Sequence, residues 1–167
     1  KQHHLLDDPG VLYSLPVERL EELIRPCGYY RMKARRLRNL LRLIVEEFEG
    51  SLDVLFALEL AELRETLLSV NGVGPETADS IILYAAGKQT FVVDAYTCRI
   101  LKRHGLLDET KPDYHAVKEL FEAAISPEMT VYNEYHALLV RIGKQQCLKK
   151  TPQCETCPLR QLLPKKT

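Results

Sequence analysis

Residues 67–101 read LLSVNGVGPETADSIILYAAGKQTFVVDAYTCRIL. Asn71 and Gly72 end a helix whose last residue is Val70, and Pro75 begins a second helix that extends to about Gly87. The pattern therefore predicts two helices joined by a tight hairpin over residues 67–87. The other helices of the chain are expected to pack around this helix-hairpin-helix.

The hairpin between the two helices has the residues of a phosphate-binding turn. Gly72 and Gly74 can adopt positive φ and carry no side chain that would obstruct a phosphate, while Val73 can turn inward as an anchor. The N–H groups at the start of the second helix, together with its dipole, form an anion site. An ordinary tight turn between helices is the alternative. The predicted DNA-contacting residues of this segment are Asn71, Gly72, Val73, Gly74, Glu76 and Thr77.

Asp94 follows a short apolar run and begins a further helix. The run Thr90-Phe91-Val92-Val93 is expected to carry the chain inward, and the helix reads AYTCRILKRHG. Taken alone, an aspartate at this point is a helix N-cap, which accepts backbone N–H bonds and contributes about 1 kcal/mol.

The segment VNGVGPETADSIILYAAGKQTFVVDAYTCRILKR resembles the helix-hairpin-helix and Gly/Pro-Asp loop (HhH-GPD) of the endonuclease III superfamily of DNA glycosylases. The resemblance extends from about Val17 to Leu163 and implies that Asp94 is catalytic. There it would stabilise the sugar cation as the glycosidic bond breaks and help to activate the attacking water. The capping and catalytic roles are compatible, because a capped carboxylate is ionised and oriented by backbone amides.

Glu76 departs from part of this superfamily. Its bifunctional members carry a lysine at this position, and the lysine amine forms a Schiff base that leads to strand cleavage. A carboxylate cannot form an imine, so the resemblance implies a monofunctional enzyme that releases a base and leaves an abasic site. Two alternatives stay open: a non-catalytic helix-hairpin-helix module that binds DNA, and a bifunctional glycosylase/lyase that uses another lysine.

A run of seven basic residues precedes the hairpin, between Arg25 and Arg42, without an acidic residue among them. The interpretations are a solvated helix face or a phosphate-facing patch with Tyr29 and Tyr30 beside it. The candidate DNA contacts in the run are Arg31, Lys33 and Arg35. The segment IRPCGYYRMKARRL resembles the branch that contains 3-methyladenine DNA glycosylase III, which implies an alkylated base as substrate.

Composition sets the remaining limits. The 167 residues are 46% hydrophobic, which suits one domain with a core, and 23 Lys+Arg balance 23 Asp+Glu. A neutral balance leaves room for only a local basic face toward the expected partner, double-stranded DNA. No apolar run approaches the roughly 20 residues of a membrane span. An odd number of cysteines, five, favours a reducing compartment, so the expected location is cytoplasmic and nucleoid-associated.

Three cysteines near the end of the chain have the spacing Cys147-x6-Cys154-x2-Cys157. Relatives of endonuclease III use C-x6-C-x2-C-x5-C to hold a [4Fe-4S] cluster, and the fourth position of that pattern falls on Leu163. Three interpretations stay open: buried thiols left by a lost cluster, a cluster with a solvent, exogenous or distant fourth ligand, and a zinc ion with a histidine as fourth ligand.

The predicted architecture is all-α, with the helix-hairpin-helix DNA glycosylase fold. Residues 1–110 form a helical barrel part that includes the hairpin (67–87) and the Asp94 loop, and residues 111–167 add C-terminal helices and the cysteine tail to the same domain. The superfamily has further N-terminal helices that are not in this sequence, so the chain is expected to be a piece of a longer protein. Exposed Leu and Ile side chains are then expected on one face, covered by a missing N-terminal segment or a second copy.

Overall fold

The computed structural model describes residues 8–107 and 112–164, and within these ranges the chain is helical without a β-strand. This confirms the predicted all-α class. None of the helices in these ranges is long and apolar enough to cross a membrane. The α-helices are α1 (Pro9–Ser14), α2 (Val17–Leu23), α3 (Tyr30–Glu47), α4 (Leu52–Ala57), α5 (Leu60–Ser69), α6 (Pro75–Tyr84), α7 (Ala95–Arg103), α8 (Tyr114–Ala124) and α9 (Met129–Gln145). Short 3-10 turns cover Arg25–Cys27, Cys154–Thr156 and Arg160–Leu162.

Short polar side chains and glycines set several helix ends. Ser51 Oγ accepts a hydrogen bond from Val54 N at 3.3 Å at the start of α4, and Asp113 Oδ1 accepts one from Ala116 N at 2.9 Å at the start of α8. α6 ends at Tyr84, three residues before the predicted end at Gly87. Gly87 has φ 64°, and the N–H of Lys88 donates to the carbonyl of Ile82 at 3.0 Å. The glycine therefore closes the helix from beyond its last turn.

The chain divides into two compact units, of which the first ends at Ala78 and the second begins at Asp79, inside α6. The domain description with parts 1–110 and 111–167 stays a prediction. In the first unit, α1 and α2 pack against α3. The Arg38 guanidinium on α3 donates to the carbonyl of Leu15 at 2.8 Å and lies over the ring of Tyr13. The connection between α1 and α2 is thereby fixed to the longest helix.

The second unit is built around Phe91, which is fully buried. Its ring stacks on Phe121 of α8 with 4.3 Å between centroids and meets the ring of Tyr132 of α9 edge-on at 5.7 Å. The whole segment Thr90–Val93 is at most 2% exposed. The prediction that this run leads inward is confirmed, and Asp94 emerges directly from the core.

α7 and α9 pack closely at Gly143, a buried glycine in the last turn of α9. A Cβ added at Gly143 would lie 2.4 Å from Cδ1 and 2.6 Å from Cβ of Tyr96. Because the Cβ of Tyr96 is fixed to its backbone, the clash could be relieved only if the helices moved apart. The two helices therefore depend on the absence of a side chain at position 143.

We expect Gly143→Ala to destabilise the protein by about 1–3 kcal/mol, the usual cost of overpacking. Alanine would gain about 1 kcal/mol of helix propensity, which the clash exceeds. Urea unfolding followed by circular dichroism measures the change. Gly74→Ala is the matched control, since a Cβ at Gly74 meets nothing within 4 Å. Equal midpoints for the two variants would contradict the prediction.

An apolar groove of about 560 Å³ lies in the second unit between α7, α8, α9 and the segment after α9. Leu106, Leu138 and Leu162 on its lining are 61%, 48% and 70% exposed. Exposed leucines on one face were predicted, whereas Ile100 on the same lining is buried. Cover by a missing segment or a second copy stays a prediction.

Candidate active site and nucleic-acid interface

Asp94 is the N-cap of α7 and one of its carboxylate oxygens is fully engaged. Oδ1 accepts a hydrogen bond from Thr97 N at 2.7 Å and another from Thr97 Oγ1 at 2.9 Å. Thr97 itself is completely buried, so both donors are held rigidly. The Asp94 side chain is 11% exposed. The cap therefore fixes the carboxyl group by Oδ1 and leaves Oδ2 outside the capping hydrogen bonds.

The surroundings of Asp94 favour its ionised form. Burial raises the pKa of this carboxyl. The neighbouring His136 imidazole and the two hydrogen bonds from Thr97 together lower the pKa by more than burial raises it, so the net pKa lies below its ordinary value. A mostly buried aspartate that stays negative is suited to stabilising a positive charge that develops nearby.

Two side chains from other helices form a chain of contacts that begins at the second oxygen of Asp94. Nε2 of His136, on α9, lies 3.8 Å from Asp94 Oδ2, and Nδ1 of His136 is hydrogen-bonded to the hydroxyl of Tyr84, on α6, at 2.5 Å. Neither His136 nor Tyr84 is among the site residues predicted from the sequence. The proximity of these three residues follows only from the fold.

A buried ion pair lies beneath the segment that leads to Asp94. Nζ of Lys118 lies 3.1 Å from Oδ1 of Asp79 and donates to Oγ1 of Thr90 at 2.5 Å. Glu122 accepts the backbone N–H of Phe91 at 2.9 Å and lies 3.7 Å from Lys118 Nζ. Charged side chains of α6 and α8 thus hold the segment that leads to Asp94. They supply hydrogen-bond partners to a buried segment that belongs to no helix or strand.

The hairpin of the first unit is tied to α3. Gly72 has φ 97°, and the Arg36 side chain lies so close that an added Cβ would be 2.4 Å from its Cγ. Nδ2 of Asn39 donates to the carbonyl of Asn71 at 2.8 Å. Val73 is 9% exposed, so its side chain packs inward as expected, and its place among the DNA-contacting residues stays a prediction. Arg36 and Asn39 are neighbours of the hairpin that the sequence alone did not identify.

Gly74 does not have the positive φ that the sequence suggested for it, whereas Gly72 does. Its carbonyl accepts the N–H of Ala78 at 2.9 Å, so it caps α6 from the position just before Pro75. A Cβ added at Gly74 would meet nothing within 4 Å, so the space beside the N-terminus of α6 is open. Glu76 and Thr77 are exposed in the first turn of α6.

The three basic residues proposed from α3 are exposed, and two of them have partners in the first unit. Nε of Arg31 lies 3.8 Å from Glu21 Oε2, and Nζ of Lys33 donates to the carbonyl of Cys27 at 2.6 Å. Arg35 is on the same helix. The basic run therefore divides into side chains that hold α3 to its neighbours and side chains that face solvent.

Comparison with known proteins agrees with this geometry. A sequence profile of HhH-GPD superfamily base excision DNA repair proteins matches residues 3–127. The chain belongs to this superfamily. Among HhH-GPD relatives, a Methanocaldococcus jannaschii protein with the provisional name DNA repair glycosylase is 43% identical over 162 residues, which are 96% of this chain and 72% of that protein. Endonuclease III of Bacillus subtilis is 28% identical over 151 residues, 90% of this chain and 64% of that enzyme.

Solved HhH-GPD structures share the fold. A non-covalent complex of endonuclease III with DNA superposes with a TM-score of 0.74 at 28% identity, covering 93% of this chain and 68% of that one. The H. pylori 3-methyladenine DNA glycosylase bound to 1,N6-ethenoadenine gives a TM-score of 0.67 at 29% identity, covering 82% and 67%. The resemblance inferred from the hairpin and the Asp94 loop is thus confirmed, and the chain spans about two thirds of the length of these relatives.

All four positions expected for a [4Fe-4S] cluster line one small cavity in this HhH-GPD chain, and three of them are cysteines. Cys147, Cys154 and Cys157 surround it together with Leu163, and Cys147 Sγ accepts a hydrogen bond from Arg103 Nη1 at 3.1 Å. The side chain of Leu163 has no atom that can bind iron, so these residues do not complete a four-cysteine site. In the described parts of the chain, no group of three or more His, Cys, Asp or Glu side chains that could hold a metal ion is found, and the three interpretations of the cysteine motif stay open.

Proposed function

We propose that this protein is a DNA glycosylase that hydrolyses the N-glycosidic bond of a damaged base in duplex DNA, with Asp94 as its catalytic residue. The observation that carries the proposal is the state of Asp94: Oδ1 is held by Thr97, the pKa of the carboxyl group lies below its ordinary value although the group is mostly buried, and Oδ2 takes no part in the cap. Membership in a superfamily of base excision DNA repair proteins supports it.

In this mechanism Asp94 acts on the sugar of a nucleotide that has left the base stack. As the base departs, positive charge develops on the sugar, and a fixed negative charge beside it lowers the energy of the transition state. The same carboxylate can accept a proton from the water that attacks the sugar carbon. The product is a free base and an abasic site.

DNA binding is assigned to the hairpin and to the exposed basic residues of α3. Asn71, Gly72, Gly74 and the first turn of α6, with Glu76 and Thr77, would contact backbone phosphates through N–H groups. Val73 would hold the turn by packing inward. Arg31, Lys33 and Arg35 would add affinity with little sequence preference. The solved endonuclease III complex, which contains DNA, supports this class of partner.

We propose an alkylated purine as the substrate. Such a base is already cationic, so it leaves without much help from an acid, and a site built around one carboxylate suffices. The relative from H. pylori, a 3-methyladenine glycosylase bound to 1,N6-ethenoadenine, supports this choice.

The test is base release from matched duplexes that carry 3-methyladenine, uracil or an oxidised pyrimidine, with the natural full-length protein. Abasic sites are converted to strand breaks by alkali after the reaction and counted. Release from the 3-methyladenine duplex alone would support the full proposal. Binding of all duplexes without release from any would instead identify a non-catalytic DNA-binding module and contradict the enzyme.

We expect no covalent adduct when the protein is incubated with abasic-site DNA and borohydride, because a monofunctional enzyme forms no imine. Glu76 occupies the position of the lysine in bifunctional relatives, and Lys118 is only 11% exposed and paired with Asp79. Denaturing gel electrophoresis reads the adduct directly. Endonuclease III serves as the positive control, and an adduct band in this protein would show that another lysine gives lyase activity.

A further inference from the structure

The second oxygen of Asp94 faces a buried polar atom that has no hydrogen-bond partner. Nε2 of His136 is shielded from solvent, makes no hydrogen bond within the described parts of the chain, and lies 3.8 Å from Asp94 Oδ2. Leaving a buried polar atom without a partner destabilises a protein, so such atoms are uncommon in folded chains. A movement of about 1 Å would bring the two atoms into hydrogen-bond distance.

The proton on the imidazole is determined by its two neighbours. If Nε2 carried only a lone pair, it would face an ionised carboxylate, and both atoms would be acceptors. A proton on Nε2 removes that repulsion and requires Nδ1 of His136 to accept from the Tyr84 hydroxyl, with which it is in contact at 2.5 Å. Burial and the charge of Asp94 raise the pKa of Tyr84, so its hydroxyl keeps the proton that it donates.

We propose that His136 is a positioning residue for base release: its Nε2–H, held in that tautomer by Tyr84, orients Oδ2 of Asp94 and stabilises its negative charge. Thr97 fixes Oδ1 from α7, and His136 fixes Oδ2 from α9. A carboxylate oxygen has two lone pairs, so Oδ2 can still face the sugar or the attacking water. This inference rests on the proposed function of Asp94.

The decisive comparison is between two substitutions of the same residue. His136→Leu removes the donor and keeps an apolar side chain, while His136→Gln retains an N–H group near the position of Nε2. With saturating enzyme and a 3-methyladenine duplex, we expect His136→Leu to slow base release about 10- to 100-fold, as for loss of a hydrogen bond to a charged group. His136→Gln should recover most of the rate. His115→Leu, an exposed histidine on α8, is the matched control and should change the rate less than about 2-fold.

The pH profile separates positioning from a merely structural role. Loss of the imidazole removes an influence that lowers the pKa of Asp94, so the acid limb of the rate profile should move to higher pH in His136→Leu. The other groups that face this carboxyl are Thr97 on its own helix and Tyr84 on α6. An unchanged profile together with an unchanged rate would overturn the inference.

A spectroscopic measurement does not depend on activity. Nitrogen-15 NMR of labelled protein should report the tautomer of His136 with the proton on Nε2, and Tyr84→Phe should weaken that preference. Tyr135→Phe, which removes a hydroxyl from the adjacent position of α9, should leave it unchanged. A proton on Nδ1 alone would overturn the inference even if the enzyme is active. If the wild type releases no base at all, the proposed function fails, and the role of His136 in catalysis fails with it whatever its tautomer.

Discussion

Asp94→Asn is expected to abolish measurable base release, lowering the single-turnover rate by about 10³-fold or more. The substitution removes the negative charge beside the sugar and the base that accepts a proton from water. Asparagine has nearly the same shape and also caps helices well, so α7 should remain intact. The measurement is the rate constant at saturating enzyme with a 3-methyladenine duplex, combined with the affinity of the variant for the same duplex.

Asp113→Asn is the matched control for this experiment. Asp113 caps α8 with the same kind of backbone hydrogen bond, its Oδ1 accepting from Ala116 N at 2.9 Å, but it is exposed and lies outside the proposed site. We expect its base-release rate to stay within about 2-fold of the wild type. A similar loss of rate in both variants would mean that capping, and not the charge of Asp94, limits the reaction. Unimpaired release by Asp94→Asn would remove Asp94 from the mechanism.

Lys118→Met is expected to destabilise the protein by about 3–5 kcal/mol, the cost of leaving one member of a buried ion pair unpaired. Asp79 is fully buried, so its charge would lose the ammonium group 3.1 Å away without gaining access to water. Thr90 would lose a partner at the same time. Urea denaturation gives the free energy of unfolding, and Lys144→Met, at an exposed position on α9, is the control.

Removing both charges together tests the cause. In the double variant Asp79→Asn with Lys118→Met, no unpaired charge remains, so we expect part of the lost stability to return. Tyr114, whose hydroxyl donates to Asp79 Oδ2 at 2.8 Å, can also pair with the asparagine. Additive losses in the double variant would show that packing around Lys118, and not the charge of Asp79, determines the stability.

Local rules were sufficient for the hairpin and for Asp94. Pro75 at a helix start, Gly72 with positive φ and Asp94 as an N-cap each follow from the properties of one residue and its immediate neighbours. The buried run before Asp94 also follows, because four consecutive β-branched or aromatic residues have little reason to remain in solvent.

The surroundings of Asp94 could not be inferred in this way. Tyr84 and His136 are 52 residues apart and meet only because α6 and α9 approach each other in the folded unit. The sequence showed a single histidine on a helix, and its partners are invisible without the tertiary structure. The sequence of the basic run also did not show which of its side chains are bound within the protein. Arg38 donates to the carbonyl of Leu15, whereas Arg35 on the same helix is exposed.

Because the ion pair of Asp79 and Lys118 is buried, we expect salt to affect the proposed catalytic step and DNA binding differently. Mobile ions weaken interactions between charges in contact with solvent, and such screening is much weaker for a pair inside the protein. The exposed arginines of α3 that are proposed to contact DNA belong to the first kind, so affinity for DNA should fall steeply as salt is added. The buried pair, which contacts Thr90 in the segment that leads to Asp94, belongs to the second kind. Once DNA is bound, the geometry at Asp94 should therefore be insensitive to the salt concentration of its surroundings.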